Sequence, residues 1–188
     1  MAIDFSNPHA DLEKITSGFT QKLPVVSGTT GWLGKYQEAV KMCRKNDAAF
    51  IYASNFSLGV NLFFELNKKL AEMMKGFPEY SVAIEETHHT QKLDAPSGTA
   101  ITLAEQLIEK TGKKSWKLDG AGTDEIPVHA KRIENVPGTH VVSYNSSVDT
   151  INIEHIAHSR DGFALGAIVA AEWLQNKKGV FTMKDVLF

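Results

Sequence analysis

Leu23-Pro-Val-Val-Ser27 runs straight into Gly28-Thr29-Thr30-Gly31-Trp32. Leu33, Tyr36, Val40 and Cys43 then recur at helical spacing as far as Lys45, and Ala48-Ala-Phe-Ile-Tyr-Ala53 follows as an unbroken apolar run. A strand, a glycine-bearing turn, a helix and a second strand are written in that order. A strand that is apolar at nearly every position, not at alternate ones, suits a parallel sheet covered on both faces. The stretch therefore predicts βαβ winding. Upstream of it, Ala2 to Phe5 reads as a short strand closed by the helix-start signal Ser6-Asn7-Pro8, and Ala10 to Phe19 as a short helix.

Beyond Asn55 the pattern changes. Leu58 to Lys75 is predicted as a long helix with Leu62, Phe63, Leu66, Leu70 and Met73 as its apolar residues. Tyr80 to Glu86 is a strand, and Ser97 to Lys110 an amphipathic helix carrying Ile101, Leu103, Ala104, Leu107 and Ile108. Lys113 to Glu125 reads as a glycine-rich loop. Ile126 to Glu134, His140 to Ser146 and Thr150 to Ala157 read as antiparallel strands, with a hairpin at Pro137-Gly138. Gly162 to Gln175 is an apolar helix that returns to the first domain. The fold class expected is α/β: a partial doubly wound parallel-sheet domain, plus an α+β insertion.

Composition narrows the function. Of 188 residues, 43% are hydrophobic and 22% charged, which is globular and not disordered. Twenty basic residues against 22 acidic ones leave a net charge of −2, so nucleic acid is not expected as a partner. The single cysteine, Cys43, forms no internal disulfide and fits a reducing cytoplasm. No run reaches the roughly 18 apolar residues of a membrane span, and no signal peptide is read at the start. Trp32, Trp116, Trp173, Met73 and Met74 are expected to pack, and Cys43 to be buried and inert. Lys177-Lys178 is read as a helix-dipole feature.

The densest polar cluster runs from Glu85 through Thr87, His88, His89, Lys92, Asp94, Ser97 and Gly98 to Thr99, joining a strand to a helix. Ser97, Gly98 and Thr99 open that helix, and free backbone N–H groups there favour an anion. Lys92 adds a positive charge, and His88 or His89 an acid that works near neutral pH. Such a site suits a carboxylate-bearing substrate that must be protonated. The same residues also read as an ordinary turn and helix cap. A Ser97–His88–Asp94 hydrolytic triad lacks the nucleophile-elbow motif. Zinc ligation by His88, His89 and Asp94, or by His155 and His158, lacks a familiar spacing, so no metal is expected.

Two further loops follow strands. Gly28-Thr29-Thr30-Gly31-Trp32-Leu33-Gly34-Lys35 is neither a P-loop nor Gly-x-Gly-x-x-Gly. It is either a structural turn or a cofactor-facing loop. Ala53-Ser54-Asn55-Phe56-Ser57 is placed likewise. Together the loops mark consecutive strand ends on one sheet edge, where a dinucleotide lies.

The run Glu86-Thr-His88-His89-Thr-Gln-Lys92-Leu-Asp94-Ala-Pro-Ser97-Gly98-Thr99-Ala100 resembles the signature of the dihydrodipicolinate reductase family. Asp4 to Pro8, Val26 to Trp32, Ser54 to Asn61 and His158 to Ala164 resemble the family in the same order. The resemblance implies NADH- or NADPH-dependent reduction of a cyclic unsaturated dicarboxylate imine in lysine and diaminopimelate biosynthesis. It implies His88 as general acid with Lys92 as its partner, and His89, Lys92, Gly98 and Thr99 as holders of the substrate carboxylates. It places the nicotinamide near Gly28, Thr29 and Thr30, with Ala53, Ser54, Asn55 and Phe56 beside it and Arg160 and Phe163 near the cofactor. It also implies a partial Rossmann-like parallel-sheet domain lacking its first βαβ unit, an α+β substrate and oligomerisation domain with a mixed sheet, and a homotetramer built through the second domain's sheet. Residues 1–56 and 158–188 would then be the dinucleotide-binding remainder, and 57–157 the substrate and oligomerisation domain. The family opens with a glycine-rich βαβ unit that does not precede Ala2 in this sequence, so a shortened N-terminus is expected. A weakly active dicarboxylate-binding, self-associating scaffold is the rival reading.

Overall fold

The computed structural model describes residues 1–7 and 11–188; Pro8 of the expected turn and Ala10 of the expected helix start lie outside them. The chain divides into two compact units, Met1–Asn61 with Asp161–Phe188, and Leu62–Arg160.

The first unit holds a four-stranded parallel sheet. Its strands are β1 (Ala2–Asp4), β2 (Val25–Ser27), β3 (Ala49–Tyr52) and β9 (Gly179–Phe181), in spatial order β1-β2-β3-β9. Alternate residues of β2 and β3 serve opposite faces. Val25 and Phe50 pack with Ile15 and Phe19 of α1 (Asp11–Thr20) and with Ala39 and Cys43 of α2 (Tyr36–Lys45). Val26, Ala49 and Ile51 pack with Ala167, Ala170 and Ala171 of α5 (Asp161–Trp173) and Met183 of α6 (Met183–Leu187). Two apolar layers explain why these strands read as continuous apolar runs.

The second unit holds α3 (Leu58–Met74) from its Leu62 onward, α4 (Gly98–Thr111) and a mixed five-stranded sheet. The strands are β4 (Ser81–His88), β5 (Ser115–Leu118), β6 (Glu125–Arg132), β7 (Gly138–Asn145) and β8 (Thr150–Ala157), ordered β5-β6-β4-β7-β8. Central β4 buries every second residue, Val82, Ile84, Glu86 and His88. Ala100, Leu103, Ala104 and Leu107 are the buried stripe of α4, which contacts β4, β5 and β6. Ser97 caps α4 by accepting a 3.2 Å bond from the Ala100 N–H, and Gly112 ends it with φ 78°.

Several expectations are corrected. The loop expected over Lys113 to Glu125 contains β5, which pairs in parallel with β6. Only β7 and β8 of the three expected antiparallel strands form such a pair with each other. β6 runs parallel to β4, and β4 lies between β6 and β7, so Pro137-Gly138 is not a hairpin between neighbours. A half-buried central strand needs hydrogen-bonding partners on both edges, and that demand overrides a local turn signal. The helix expected from Trp32 begins instead as a 3-10 turn over Leu33–Lys35. In α3 the buried residues are Val60, Phe63, Phe64, Asn67 and Ala71, whereas Leu62, Leu66 and Met73 are exposed. Buried Asn67 turns the helix toward α4, donating to the Leu103 carbonyl at 3.2 Å and to Gln106 Oε1 at 3.0 Å. Lys177 sits 4.0 Å above the Trp173 ring and Lys178 pairs with Asp47, so neither is chiefly a helix-end charge. Strand β9 and helix α6 were not expected. Cys43 is buried as anticipated, and burial pushes its thiol up to about 11.

Candidate active site

The connection from β4 to α4 carries the polar cluster. Alternation along β4 turns Glu86 and His88 to the same buried face. Strand pairing sets His140 of β7 opposite Glu86, and Arg132 of β6 opposite His88. Glu86 is fully buried and has four polar neighbours. Its Oε1 accepts from the Ser97 N–H and from Arg132 Nη2, both at 3.1 Å. Its Oε2 lies 2.9 Å from His88 Nδ1 and 3.8 Å from His140 Nε2.

Burial raises the Glu86 pKa, but the contacts with His88, the Ser97 amide and Arg132 outweigh it and leave the carboxyl at about 2. Burial pushes His140 down to about 3, reinforced by the His88 charge and opposed by Glu86, so His140 is neutral at physiological pH. The 3.8 Å approach of His140 to Glu86 is therefore not an ion pair. His140 Nε2 instead meets Ser97 Oγ at 3.1 Å.

Sequence-predicted residues divide. His88 is buried, whereas His89 lies past the strand end and its carbonyl accepts from the Lys92 N–H at 3.1 Å. Lys92 Nζ is paired with Asp94 at 2.7 Å and 2.8 Å. Arg132 ties down the connection by donating to the Asp94 carbonyl at 2.6 Å and to the Lys92 carbonyl at 3.4 Å. Ser97 and Thr99 are buried, but Gly98 faces open space. Ser97 meets His140 and not His88, and Asp94 is engaged by Lys92, so the hydrolytic triad is not formed. The zinc set His88, His89 and Asp94 does not gather either. Glu86, His88 and His140 do bring ligand atoms within 4.8 Å of one another, but the Arg132 guanidinium already neutralises Glu86.

Sequence reasoning quoted Glu86 without giving it a role and missed Arg132 and His140. A charged residue two positions before His88 was the available signal, since both share a face. The pairing that brings in Arg132 and His140 is non-local.

In the first unit, Asp4, Ser27 and Tyr52 stand side by side at the ends of their strands, so the loops after them leave one carboxyl edge. A side chain on Gly28 would overlap the Phe5 ring. Thr29 is buried; its Oγ1 accepts from the Ser6 N–H at 2.9 Å and its carbonyl accepts from Trp32 Nε1 at 2.8 Å, while Thr30 is exposed. Asn55 Oδ1 accepts from the Ser57 N–H at 2.9 Å. Ala53 and Ser54 lead into Phe56, which is buried edge-on against Phe5 at 5.5 Å, and Gly166 of α5 leaves no room for a Cβ against the Phe56 carbonyl. Phe163 is half-buried in the first turn of α5, and Arg160 just before it is exposed. Among the described residues, Ser27 Oγ and Asp4 Oδ2 are buried without hydrogen-bond partners. An unpartnered carboxylate oxygen and a hydroxyl at these strand ends fit the hydroxyl or carboxamide donors of a dinucleotide, not its anionic pyrophosphate.

The family models "Dihydrodipicolinate reductase, N-terminus" and "Dihydrodipicolinate reductase, C-terminus" match residues 1–56 and 59–187. The 4-hydroxy-tetrahydrodipicolinate reductase of Christiangramia forsetii is 66% identical over 188 residues, all of this chain and 79% of the relative. That of Methanoregula boonei is 34% identical over 190 residues, 98% of this chain and 73% of the relative. A dipicolinate-bound dihydrodipicolinate reductase from Paenisporosarcina sp. TG-14 superposes with a TM-score of 0.78 at 25% identity, over 99% of this chain and 72% of that one. A probable dehydrogenase from Thermotoga maritima, at a TM-score of 0.54 and 8% identity, shares the fold alone over 98% of this chain and 73% of its own. With both halves matched in order and the signature run intact between β4 and α4, the chain belongs to the dihydrodipicolinate reductase family.

Proposed function

We propose that the β4-to-α4 connection binds and protonates the substrate in the reduction of 4-hydroxy-tetrahydrodipicolinate to tetrahydrodipicolinate. The reaction adds one hydride and one proton and releases one water. A reduced nicotinamide coenzyme, NADH or NADPH, supplies the hydride when bound. Gly28 to Thr30, Ala53 to Phe56, Arg160 and Phe163 are its assigned holders.

His88 is the acid and Lys92 assists it. Lys92, freed from Asp94 by a competing carboxylate, grips the substrate together with His89, Thr99 and the amides of Ser97 and Gly98. Ser97 already gives its N–H to Glu86, so the larger share falls to Gly98, beside which an added Cβ would meet nothing within 4 Å. The observation that carries this reading is the connection itself: one short segment brings a buried imidazole, an ammonium and an uncovered helix start together. The dipicolinate in the Paenisporosarcina relative, a cyclic dicarboxylate, supports the substrate class.

Residues 1–56 with 158–188 serve the coenzyme and 57–157 the substrate. Self-association into a tetramer is assigned to the second sheet. It is supported by the row Lys131, Thr87, Thr139 and Ile156 across four strands, on the face opposite buried Glu86 and His88, with Ile156 about half exposed.

The test is His88→Gln, expected to lower turnover by roughly 10²- to 10⁴-fold. An unchanged rate removes His88 from the chemistry. Thr99→Ala is expected mainly to raise KM, because it weakens carboxylate binding in ground and transition states alike.

A further inference from the structure

We infer that Glu86 is the positioning residue for His88, fixing the ring with Nδ1 as donor and Nε2 turned toward the reacting space. The inference rests on the reading of His88 as the acid.

An ionised carboxylate only accepts hydrogen bonds. Its Oε1 is occupied by the Ser97 N–H and Arg132, whereas Oε2 lies 2.9 Å from His88 Nδ1, and neither of these two buried atoms has a hydrogen-bond partner elsewhere. A proton on Nδ1, shared across that approach, is the arrangement that satisfies both buried atoms while Glu86 is charged. In the neutral ring that is the only proton, and in the protonated ring the transferable one sits on Nε2. The space before Nε2 is kept clear by Gly138, where a Cβ would stand 3.1 Å from that nitrogen.

The other ionisable groups facing the pair are already engaged. Arg132 of β6 is held by Glu86 Oε1 and by the carbonyls of Lys131 and Asp94. His140 of β7 meets Ser97, and Lys92 of the connection meets Asp94. Glu86 thus has a single imidazole to orient. Through the Ser97 N–H it also fixes the start of α4, so acid and helix start are set by one buried anion.

Glu86→Gln gives a sharp test because it keeps the shape. Arg132 and the Ser97 N–H both require an acceptor, so the glutamine oxygen takes the Oε1 place and its NH₂ faces His88 Nδ1. Two donors cannot meet, and the neutral ring must move its proton to Nε2. The experiment is a two-bond ¹H–¹⁵N correlation spectrum of the full ¹⁵N-labelled chain at about pH 9, where imidazole is neutral. The His88 signal is identified by its loss in His88→Gln.

The wild-type ring is expected as the Nδ1–H tautomer and the Glu86→Gln ring as Nε2–H. In the variant, kcat is expected to fall by roughly 10²-fold, with KM changing by less than about threefold. A wild-type ring protonated on Nε2 overturns the inference, and that spectrum decides the matter even if the variant does not fold. A folded variant with the wild-type tautomer and turnover overturns it too. If His88→Gln keeps full turnover, the acid assignment falls while the tautomer result still stands, so the two failures are distinguishable.

Discussion

Strands β3 and β4 are both inner strands followed by a loop assigned above to binding, yet their interiors are opposites. β3 places Phe50 in one apolar layer and Ile51 in the other, and polar groups gather only past its end. β4 places Glu86 and His88 inside the unit, where Glu86 Oε1 accepts from the Ser97 N–H and Arg132 and Oε2 lies 2.9 Å from His88 Nδ1. An apolar layer is held by many small non-directional contacts and tolerates repacking. A buried polar cluster fixes angles as well as distances, and fails abruptly when one member is lost. The first design supports a loop; the second aims a side chain.

The largest expected effect tests the apolar side. Phe50→Ala is expected to cost about 3–5 kcal/mol in urea unfolding, since the ring is completely buried between α1 and α2. A loss below about 1 kcal/mol shows that the layer collapses onto the cavity and contributes little rigidity.

The polar side is broken by acid. His140 is held well below its ordinary value by burial, so the unfolded chain binds a proton that the folded one refuses. Stability from this group is complete above about pH 6.5 and is lost as pH falls toward about 3. His155, also lowered by burial, acts in the same direction. Glu86 adds a second window: its depressed carboxyl stabilises the fold above about 4.5, and that is lost toward about 2. His140→Gln is therefore expected to lessen the drop in unfolding free energy between about pH 7.5 and about pH 5. An identical drop in variant and wild type shows that His140 is not the group responsible.

Smaller still is the cap. Ser97→Ala removes the Ala100 bond and the His140 contact, and is expected to cost about 0.5–2 kcal/mol by thermal or urea unfolding. A larger loss means that His140 depends on Ser97 more than α4 does.

The contrast also explains what could be read from sequence. Apolar runs announced β2 and β3, because a layer on each face calls for an apolar side chain at consecutive positions, Val25 and Val26 in one strand and Phe50 and Ile51 in the other. Ser97, Gly98 and Thr99 announced the start of α4 through local capping chemistry. The register that sets His140 and Arg132 around Glu86 joins segments more than forty residues apart in the chain. No local pattern encodes it, and the short β5 inside a glycine-rich stretch was masked for the same reason. β9 has only three residues and depends on its parallel pairing with β3, so it too was silent.

α3 gives the smallest prediction and the most direct check on this account. Helical spacing marks Leu62, Leu66 and Met73 as core, yet Leu66 is 49% and Met73 is 69% exposed. Asn67 takes the buried place because its amide answers the Leu103 carbonyl and Gln106, so one polar contact rotates the helix by about one residue. If that contact sets the rotation, Leu66→Gln should change unfolding free energy by no more than about 0.5 kcal/mol, as for other surface positions. Asn67→Ala, which leaves Gln106 Oε1 without its donor, should cost about 1–3 kcal/mol. Reversal of that order would mean that α3 turns its leucine stripe inward in solution, and that hydrophobic spacing, not the buried amide, decides its face.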